Sequence, residues 1–233
     1  MTPNAPGPMV HVKRFGIKTM KLYYLAGSCA LAPHIALEHS GLPYEAIRVE
    51  RGKQTEPSYL AINPLGRVPA LVTPSHGTIT EVPAVLCFIA DMAPDQGLLP
   101  RVGTRERYDA LRWMAYLSST VHPALGRLWR AERFASDSAC IGSVEQAAAT
   151  QLASDFAHID KHLANNKWLA GNDFSVADLS LFVFGRLGLR LTTSTRNFPN
   201  FYRHTLSIAS MTATLGAITQ EGITFEGPKS GPG

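Results

Sequence analysis

Apolar and polar residues alternate with a changing period over the first part of the chain. The stretch KLYYL (21–25) alternates as a β-strand does, and PHIALEHS (33–40) has the spacing of a helix that Gly41 ends. The stretch YEAIRVE (44–50) then returns to the pattern of a strand. This order predicts a β-α-β unit that begins at about Met20.

Two further strands and a helix follow in the same part of the chain. GRVPALVTP (66–74) and GTITE (77–81) predict two strands that a tight turn joins. A helix is predicted from Pro83 to just before Pro94, because proline is well tolerated in a first helical turn and ends a helix elsewhere. Together these elements predict an α/β domain over residues 20–100.

Strand patterns are absent beyond about residue 105, where the spacing becomes helical. SVEQ (143–146) and SVAD (175–178) each have the form of a capping box, in which two side chains satisfy backbone N–H groups at a helix start. Another helix is predicted after Pro199. The fold class is therefore α/β followed by all-α, with the helical domain over 106–225.

The two ends of the chain differ in composition from the rest. The first nineteen residues lack the apolar centre of a signal peptide, and the last eight, EGPKSGPG, are rich in glycine and proline. We predict that 1–19 and 226–233 are flexible. No apolar stretch reaches the ~18 residues that a membrane-spanning helix needs, so no membrane partner is expected.

Charge and cysteine content narrow the functional classes. The formal net charge of +4 is spread along the chain, which gives little support for nucleic-acid binding. Cys29, Cys87 and Cys140 are an odd number of cysteines without paired spacing, which favours reduced thiols in a cytoplasmic protein.

The thiol of Cys29, in AGSCALAPHI (26–35), is the first candidate for chemistry. It falls in a strand-to-helix turn, where the positive end of a helix lowers a thiol pKa and favours thiolate. The alternative is a small buried side chain that fills space beside Leu31.

Val68 and Pro69 form the second candidate feature. Proline cannot donate to a strand ladder, so it belongs at a sheet edge or in a special turn. The sequence alone leaves open an ordinary trans proline or a cis bond that exposes the Val68 backbone.

Other chemical motifs are weak or missing. His34, Glu38 and His39 could suggest a metal-binding helix face, because residues four apart share a helix surface. His39 points elsewhere and a third ligand is absent, so we predict a solvated helix surface and no metal. The chain contains no nucleophile-elbow, phosphate-loop or dinucleotide motif of a serine hydrolase, kinase or dehydrogenase.

The order of these features resembles the glutathione transferase family, with its thioredoxin-like first domain and all-helical second domain. The resemblance rests on four features: the β-α-β opening, the segment NPLGRVPAL (63–71), the hairpin that leads into TEVPAVLCFIAD (80–91), and the helix with the capped start FSVADLSLF (174–182). The opening MKLYYLAGSCALAPHIALEHSGLPYE is most similar to the bacterial beta class. The resemblance extends from Met20 to about Ile218.

The resemblance implies catalytic roles for Cys29 and His122 and a glutathione-binding role for Tyr24. Cys29 matches the beta-class cysteine that lies close to the glutathione sulfur, and His122 matches a histidine of the helical domain that leans over the thiol. Tyr24 matches a tyrosine near the site in many members. Because Tyr23 and Tyr24 alternate along a strand, at least one must point into the core, which makes packing an equal alternative for Tyr24.

For glutathione binding, the resemblance implies a cis bond before Pro69 and pairing of the Val68 backbone with the cysteinyl part of the tripeptide. Glu81, together with Val82, would hold the γ-glutamyl end. Lys53 lies in the segment that supplies a cation for the glycyl carboxylate.

Three positions depart from the family pattern. Val82 stands where a serine or another polar group binds the γ-glutamyl carboxylate, Ala30 where the beta class has serine, and Pro123 where it has lysine. A hydrogen bond to a charged group contributes ~1.5–3 kcal/mol, so the loss at Val82 predicts about ten- to a hundredfold weaker glutathione binding unless another donor compensates.

Three functions follow as hypotheses. The first is conjugation of glutathione to a small hydrophobic electrophile, as in detoxification, in a cleft lined by the helix from Trp113 to Trp129 and by Phe201. The second is glutathione-dependent thiol–disulfide exchange with Cys29 as nucleophile. The third is a non-catalytic binding or dimerisation module. The family resemblance implies a homodimer.

Overall fold

The computed structural model describes residues 19–226. The predicted flexible ends therefore lie outside the described residues, except for Thr19 and Glu226.

The first half contains one four-stranded sheet in the order β2-β1-β3-β4. Its strands are β1 (Met20–Tyr24), β2 (Tyr44–Arg48), β3 (Ala70–Thr73) and β4 (Gly77–Thr80). β1 pairs in parallel with β2 and antiparallel with β3, and β3 pairs antiparallel with β4. The parallel pair, with a helix between its strands, confirms the predicted β-α-β opening, and the last pair confirms the hairpin.

Three helices accompany the sheet, and six form the second half in the part of the chain that the structure describes. They are α1 (Leu31–Ser40), α2 (Pro57–Leu60), α3 (Val82–Met92), α4 (Arg105–Tyr116), α5 (His122–Trp129), α6 (Ile141–Leu163), α7 (Val176–Gly188), α8 (Pro199–Ala209) and α9 (Thr212–Glu221). One π-helical turn, Leu117–Val121, joins α4 to α5. A thioredoxin-like sheet unit followed by helices confirms the predicted fold class.

A single hydrophobic core extends from the sheet into the helical half. Helix α1 is at its centre, because every residue from Leu31 to Leu37 is buried and the helix contacts α3, α7 and α9. Gly41 ends α1 in the left-handed conformation (φ 68°), as predicted, and its N–H donates to the Leu37 carbonyl. The turn that carries Cys29 is therefore packed from both halves.

Helix α7 is apolar nearly all round and is buried along almost its whole length, as its sequence predicts. Its start is the predicted capping box: the Ser175 hydroxyl accepts from the Ala177 N–H, and the Asp178 carboxylate accepts from the Ser175 N–H at 2.9 Å. Gly185 allows close packing, because a Cβ there would lie 2.1 Å from Thr205 Oγ1.

The prediction that SVEQ (143–146) starts a helix is wrong. Helix α6 begins at Ile141, and a 3₁₀ turn, Ser138–Cys140, leads directly into it. The side chain of Asp137 caps that turn by accepting from the Ala139 N–H at 2.9 Å. Ser143 is thus the third residue of the helix and not the residue before its first turn.

Helix α9 is not predicted by the sequence pattern. Its residues TATLGAITQE are mostly small or β-branched, and no side chain caps its start. Tertiary packing against α1 forms this helix. Within the described residues, no helix is both long and apolar enough to cross a membrane.

Candidate active site

Cys29 lies in the turn between β1 and α1, where the backbone is tightly hydrogen-bonded. The Ser28 hydroxyl accepts from the Ala30 N–H at 3.2 Å, and the Ser28 carbonyl accepts from the Leu31 N–H at 3.1 Å. The half-buried Cys29 thiol donates to the Val68 carbonyl with Sγ and O 3.5 Å apart. The two candidate features of the sequence are therefore in direct contact.

The thiol of Cys29 is not activated in this environment. Burial raises the pKa of Cys29 to about 11, and the nearby Glu81 carboxylate also raises it, whereas backbone N–H groups of Cys29 and Ala30 lower it. The expectation of a lowered pKa is wrong, because desolvation outweighs the helix terminus here. At pH 7 the Cys29 thiol is therefore protonated.

The bond between Val68 and Pro69 is cis, as the resemblance implies. The loop before it is held by side chains that sequence reasoning missed: Tyr59 Oη and Asn63 Nδ2 each donate to the Arg67 carbonyl at 2.7 Å. Asn63 is almost fully buried, which protects this bond from water. The backbone of Val68 is thus presented from a fixed loop just before β3.

Glu81 occupies the N-cap position of α3, and its backbone conformation is unusual. Its φ of 66° is the one positive φ of a non-glycine residue between 19 and 226. Such a conformation costs about 1–3 kcal/mol and is concentrated at functional sites. The side chain of Glu81 is exposed, and Val82 beside it is half-buried.

His122 is the first residue of α5, directly after the π-helical turn. Its ring packs edge-on against Phe184 at 5.7 Å between centroids. Although part of the residue is exposed, desolvation lowers the pKa of His122, the Arg67 guanidinium lowers it further, and Glu81 opposes both. The imidazole is therefore neutral at pH 7 and can accept a proton.

A small pocket brings Cys29, Val82 and His122 together. Its walls come from both halves of the chain and are formed by Cys29, Ala32, Val82, Ser118, His122, Ser180, Val183 and Phe184. Sequence reasoning missed Ser118, Ser180 and Phe184. The apolar character of α7 signals burial but does not reveal which of its residues border a pocket.

Five predicted binding residues do not line this pocket: Val68, Pro69, Glu81, Lys53 and Tyr24. Val68 contacts Cys29 through its carbonyl. Lys53 is exposed, and its Nζ pairs with the Glu56 carboxylate, which raises the pKa of Lys53. Tyr24 is buried, and its ring packs on the His34 ring at 5.3 Å between centroids. Of the alternatives for Tyr24, the structure shows core packing.

Two further expectations need correction. His34 does not lie on a solvated helix surface: it is fully buried, with Nδ1 3.0 Å from Glu221 Oε1. Trp113 and Phe201 do not line an open cleft, because both are fully buried. The reason is the same in each case, since α9 covers α1, and α6 packs on the rings of Trp113 and Phe201. No group of three or more metal-ligating side chains capable of holding a metal ion occurs within residues 19–226.

A parallel pair continued into a hairpin, a cis proline before β3 and an attached helical bundle define a thioredoxin-like sheet joined to an all-helical half. Comparison with known proteins gives the particular family. Residues 26–92 match the glutathione S-transferase N-terminal domain, and residues 142–211 match the C-terminal domain. The chain belongs to the glutathione S-transferase family.

Bacterial relatives are similar over most of the chain. The Glutathione S-transferase GST-4.5 of Xanthomonas campestris is 37% identical over 70% of this chain and 80% of its own length. A solved beta class glutathione S-transferase of Sphingomonas chungbukensis is 35% identical, with a TM-score of 0.78 over 87% of this chain and 98% of its own. A sphingomonad glutathione S-transferase complexed with glutathione is also 35% identical, with a TM-score of 0.79 over 88% of this chain and 100% of its own.

Proposed function

We propose that this protein conjugates glutathione to a small hydrophobic electrophile and that the thiolate of glutathione is the nucleophile. The observation that carries the proposal is the contact between the protonated Cys29 thiol and the carbonyl of Val68, at the cis-proline loop. Family membership and the glutathione-bound relative support the same co-substrate.

In this proposal the tripeptide lies along the loop before β3. The Val68 backbone pairs with its cysteinyl part, and Pro69 shapes that edge. Glu81 accepts from the γ-glutamyl ammonium, while Val82 offers only its backbone N–H to the carboxylate of that residue. Lys53 reaches the glycyl carboxylate after leaving Glu56, at little cost because exposed ion pairs contribute ~0–1 kcal/mol. Tyr24 supports the site from beneath through its contact with His34.

The chemistry follows from two protonation states. A thiol with a pKa of about 11 keeps its proton. When glutathione binds, Cys29 turns this S–H from the Val68 carbonyl to the glutathione sulfur and stabilises its thiolate. Neutral His122 accepts the proton that the glutathione thiol loses. The thiolate then attacks the electrophile and forms the C–S bond. In a substitution the leaving group departs with its bonding electron pair, and in an addition the displaced electron pair takes up the proton that His122 accepted.

We extend the proposal to organisation and setting by analogy with the family. Residues 20–100 bind glutathione, residues 106–225 supply the wall against the electrophile, and two chains form a homodimer. A role in detoxification in the cytoplasm fits the hydrophobic co-substrate and the three free cysteines.

The test compares Cys29→Ser with Cys87→Ser as the matched control. We expect Cys29→Ser to keep conjugation of a chlorodinitrobenzene to glutathione within about threefold of the unmodified protein, because a serine hydroxyl still donates to the sulfur. Intact mass after incubation with oxidised glutathione at pH 7 should show no adduct at Cys29. Loss of turnover together with an adduct that Cys29→Ser abolishes would instead establish thiol–disulfide exchange.

A second prediction concerns the pH dependence of Cys29 alkylation. The group is protonated below its folded-state pKa of about 11, so its rate with iodoacetamide should rise about tenfold per pH unit between pH 7 and 9 without levelling. Peptide mass spectrometry measures this rate beside that of exposed Cys140 in the same sample. A plateau below pH 9 would mean that the thiol is activated after all.

A further inference from the structure

The backbone of Gly27, two residues before Cys29, is held from both sides by charged side chains of the helical half. Glu221 Oε2 accepts from the Gly27 N–H at 2.7 Å, and Arg186 Nη1 donates to the Gly27 carbonyl at 3.2 Å. The two side chains come from α9 and α7, and their residues are only 1% and 5% exposed. A buried carboxylate and a buried guanidinium thus bind the two peptide units on either side of the Gly27 Cα.

Glycine is required at this position for two reasons. Its φ of 71° is in the left-handed region, and a Cβ would lie 3.2 Å from Arg186 Nη2. The missing side chain therefore allows the guanidinium to approach the backbone closely.

The same carboxylate also holds the helix that follows Cys29. Glu221 Oε1 is 3.0 Å from His34 Nδ1, and His34 Nε2 is 3.2 Å from Gln220 Oε1. Arg186 Nη2 in turn donates to the Thr224 carbonyl at 3.3 Å, just beyond the end of α9. Cys29 is therefore flanked on both sides by groups that are fixed to Glu221.

We propose that Glu221 and Arg186 are positioning residues, which set where the Cys29 thiol and the first turn of α1 meet the sulfur of glutathione. The inference rests on the proposed function for its kinetic consequence. Two charges are taken out of water here, which is costly, and only part of the cost is compensated because the buried Arg186 Nε has no hydrogen-bond partner among residues 19–226. Because Val68 and Glu81 lie on other segments, the clamp on Gly27 should act on the reacting atoms more than on the binding of the peptide.

The sharpest test pairs Glu221→Gln with Glu221→Asp. Glutamine keeps the length and an oxygen for the Gly27 N–H, and its amide can donate to His34 Nδ1 in the other tautomer of the ring. Aspartate keeps the charge but withdraws the oxygens by one methylene. If position matters, Glu221→Gln retains kcat within about threefold, whereas Glu221→Asp lowers kcat about tenfold with the KM for glutathione little changed, since a displacement of about 1 Å suffices for such losses.

Alkylation of Cys29 gives a readout that does not depend on conjugation. In Glu221→Asp the turn is no longer held, and the iodoacetamide rate of Cys29 at pH 8 should rise about tenfold, because a thiol that is released towards water loses much of its desolvation. The readout also separates the two proposals: if the unmodified protein shows no conjugation, the proposed function fails while the alkylation rates still decide whether Glu221 positions Cys29.

Asp155→Ala is the matched control for loss of a buried carboxylate. Asp155 is also almost fully buried, and it accepts from Tyr116 Oη at 2.6 Å and from Gln151 Nε2 at 2.9 Å, away from the turn. We expect Asp155→Ala to lower the stability of the protein without changing kcat or the rate of Cys29 alkylation. The proposal is overturned if Glu221→Asp matches this control in both readouts, or if Glu221→Gln is impaired and Glu221→Asp is not.

Discussion

Asp178→Ala is expected to lower the free energy of unfolding by about 3–5 kcal/mol, because each buried donor left without an acceptor costs about 1–3 kcal/mol. The carboxylate is fully buried, and its Oδ1 accepts from the Leu169 N–H and lies 2.9 Å from His204 Nε2. Its Oδ2 accepts from the N–H and the hydroxyl of Ser175 at 2.9 and 3.2 Å. Alanine would leave all of these groups without an acceptor in the core of the helical half.

Urea unfolding at 25 °C measures this loss, with Asp109→Ala as the surface control. Asp109 pairs with Arg105 and Arg112 on α4, and exposed pairs of this kind contribute ~0–1 kcal/mol. The stability loss of Asp178→Asn should fall between those of Asp178→Ala and Asp109→Ala. Asparagine keeps one acceptor oxygen, but its NH₂ group faces donors that need an acceptor. A loss below about 1 kcal/mol for Asp178→Ala would show that the capping box is not a main support of α7.

Local signals made the first half predictable from sequence. Gly41 ends α1, Pro83 marks the first turn of α3, and Pro94 follows its end, so each boundary depends on residues within one turn of it. Period-two stretches then specify the strands. Such boundaries need no knowledge of the rest of the chain.

The two capping-box patterns show where local reasoning stops. Both have serine followed three residues later by an acid or amide, yet only the one at Ser175 starts a helix. There the long-range contacts of Asp178 with Leu169 and His204 add to the local cap. At Ser143 the helix starts earlier, because the 3₁₀ turn capped by Asp137 leads into α6 at Ile141. The four residues SVEQ do not reveal this earlier start.

The sequence predicted some of the residues of the candidate site, but it did not predict the direction of the Cys29 pKa shift. The structure brings Cys29, Val82 and His122 to one pocket, but the direction of the Cys29 pKa shift depends on how deeply the turn is buried. Burial of that turn depends on α9, whose Glu221 is 194 positions from Gly27. A contact at that separation leaves no periodic trace in the sequence, which is also why His34 was expected on the surface.

Glu81→Gly should weaken glutathione binding about ten- to a hundredfold while leaving the protein at least as stable. The affinity falls because a charge-assisted hydrogen bond to the γ-glutamyl end is lost, a contribution of ~1.5–3 kcal/mol. Stability is kept because glycine adopts a φ of 66° without the about 1–3 kcal/mol of strain that glutamate bears there, which offsets the greater entropy of glycine in the unfolded chain.

Glu81→Ala is the matched variant that separates the carboxylate from the backbone. Alanine also lacks the carboxylate but keeps a Cβ, so it should lose the same affinity in calorimetric titration with glutathione and gain no stability in urea unfolding. Equal stability of the two variants would mean that the backbone of Glu81 is not strained. Undiminished affinity in both would remove Glu81 from the binding site. The expected split, in which affinity follows the carboxylate and stability follows the Cβ, would show that the strained conformation serves to aim Glu81 at its ligand.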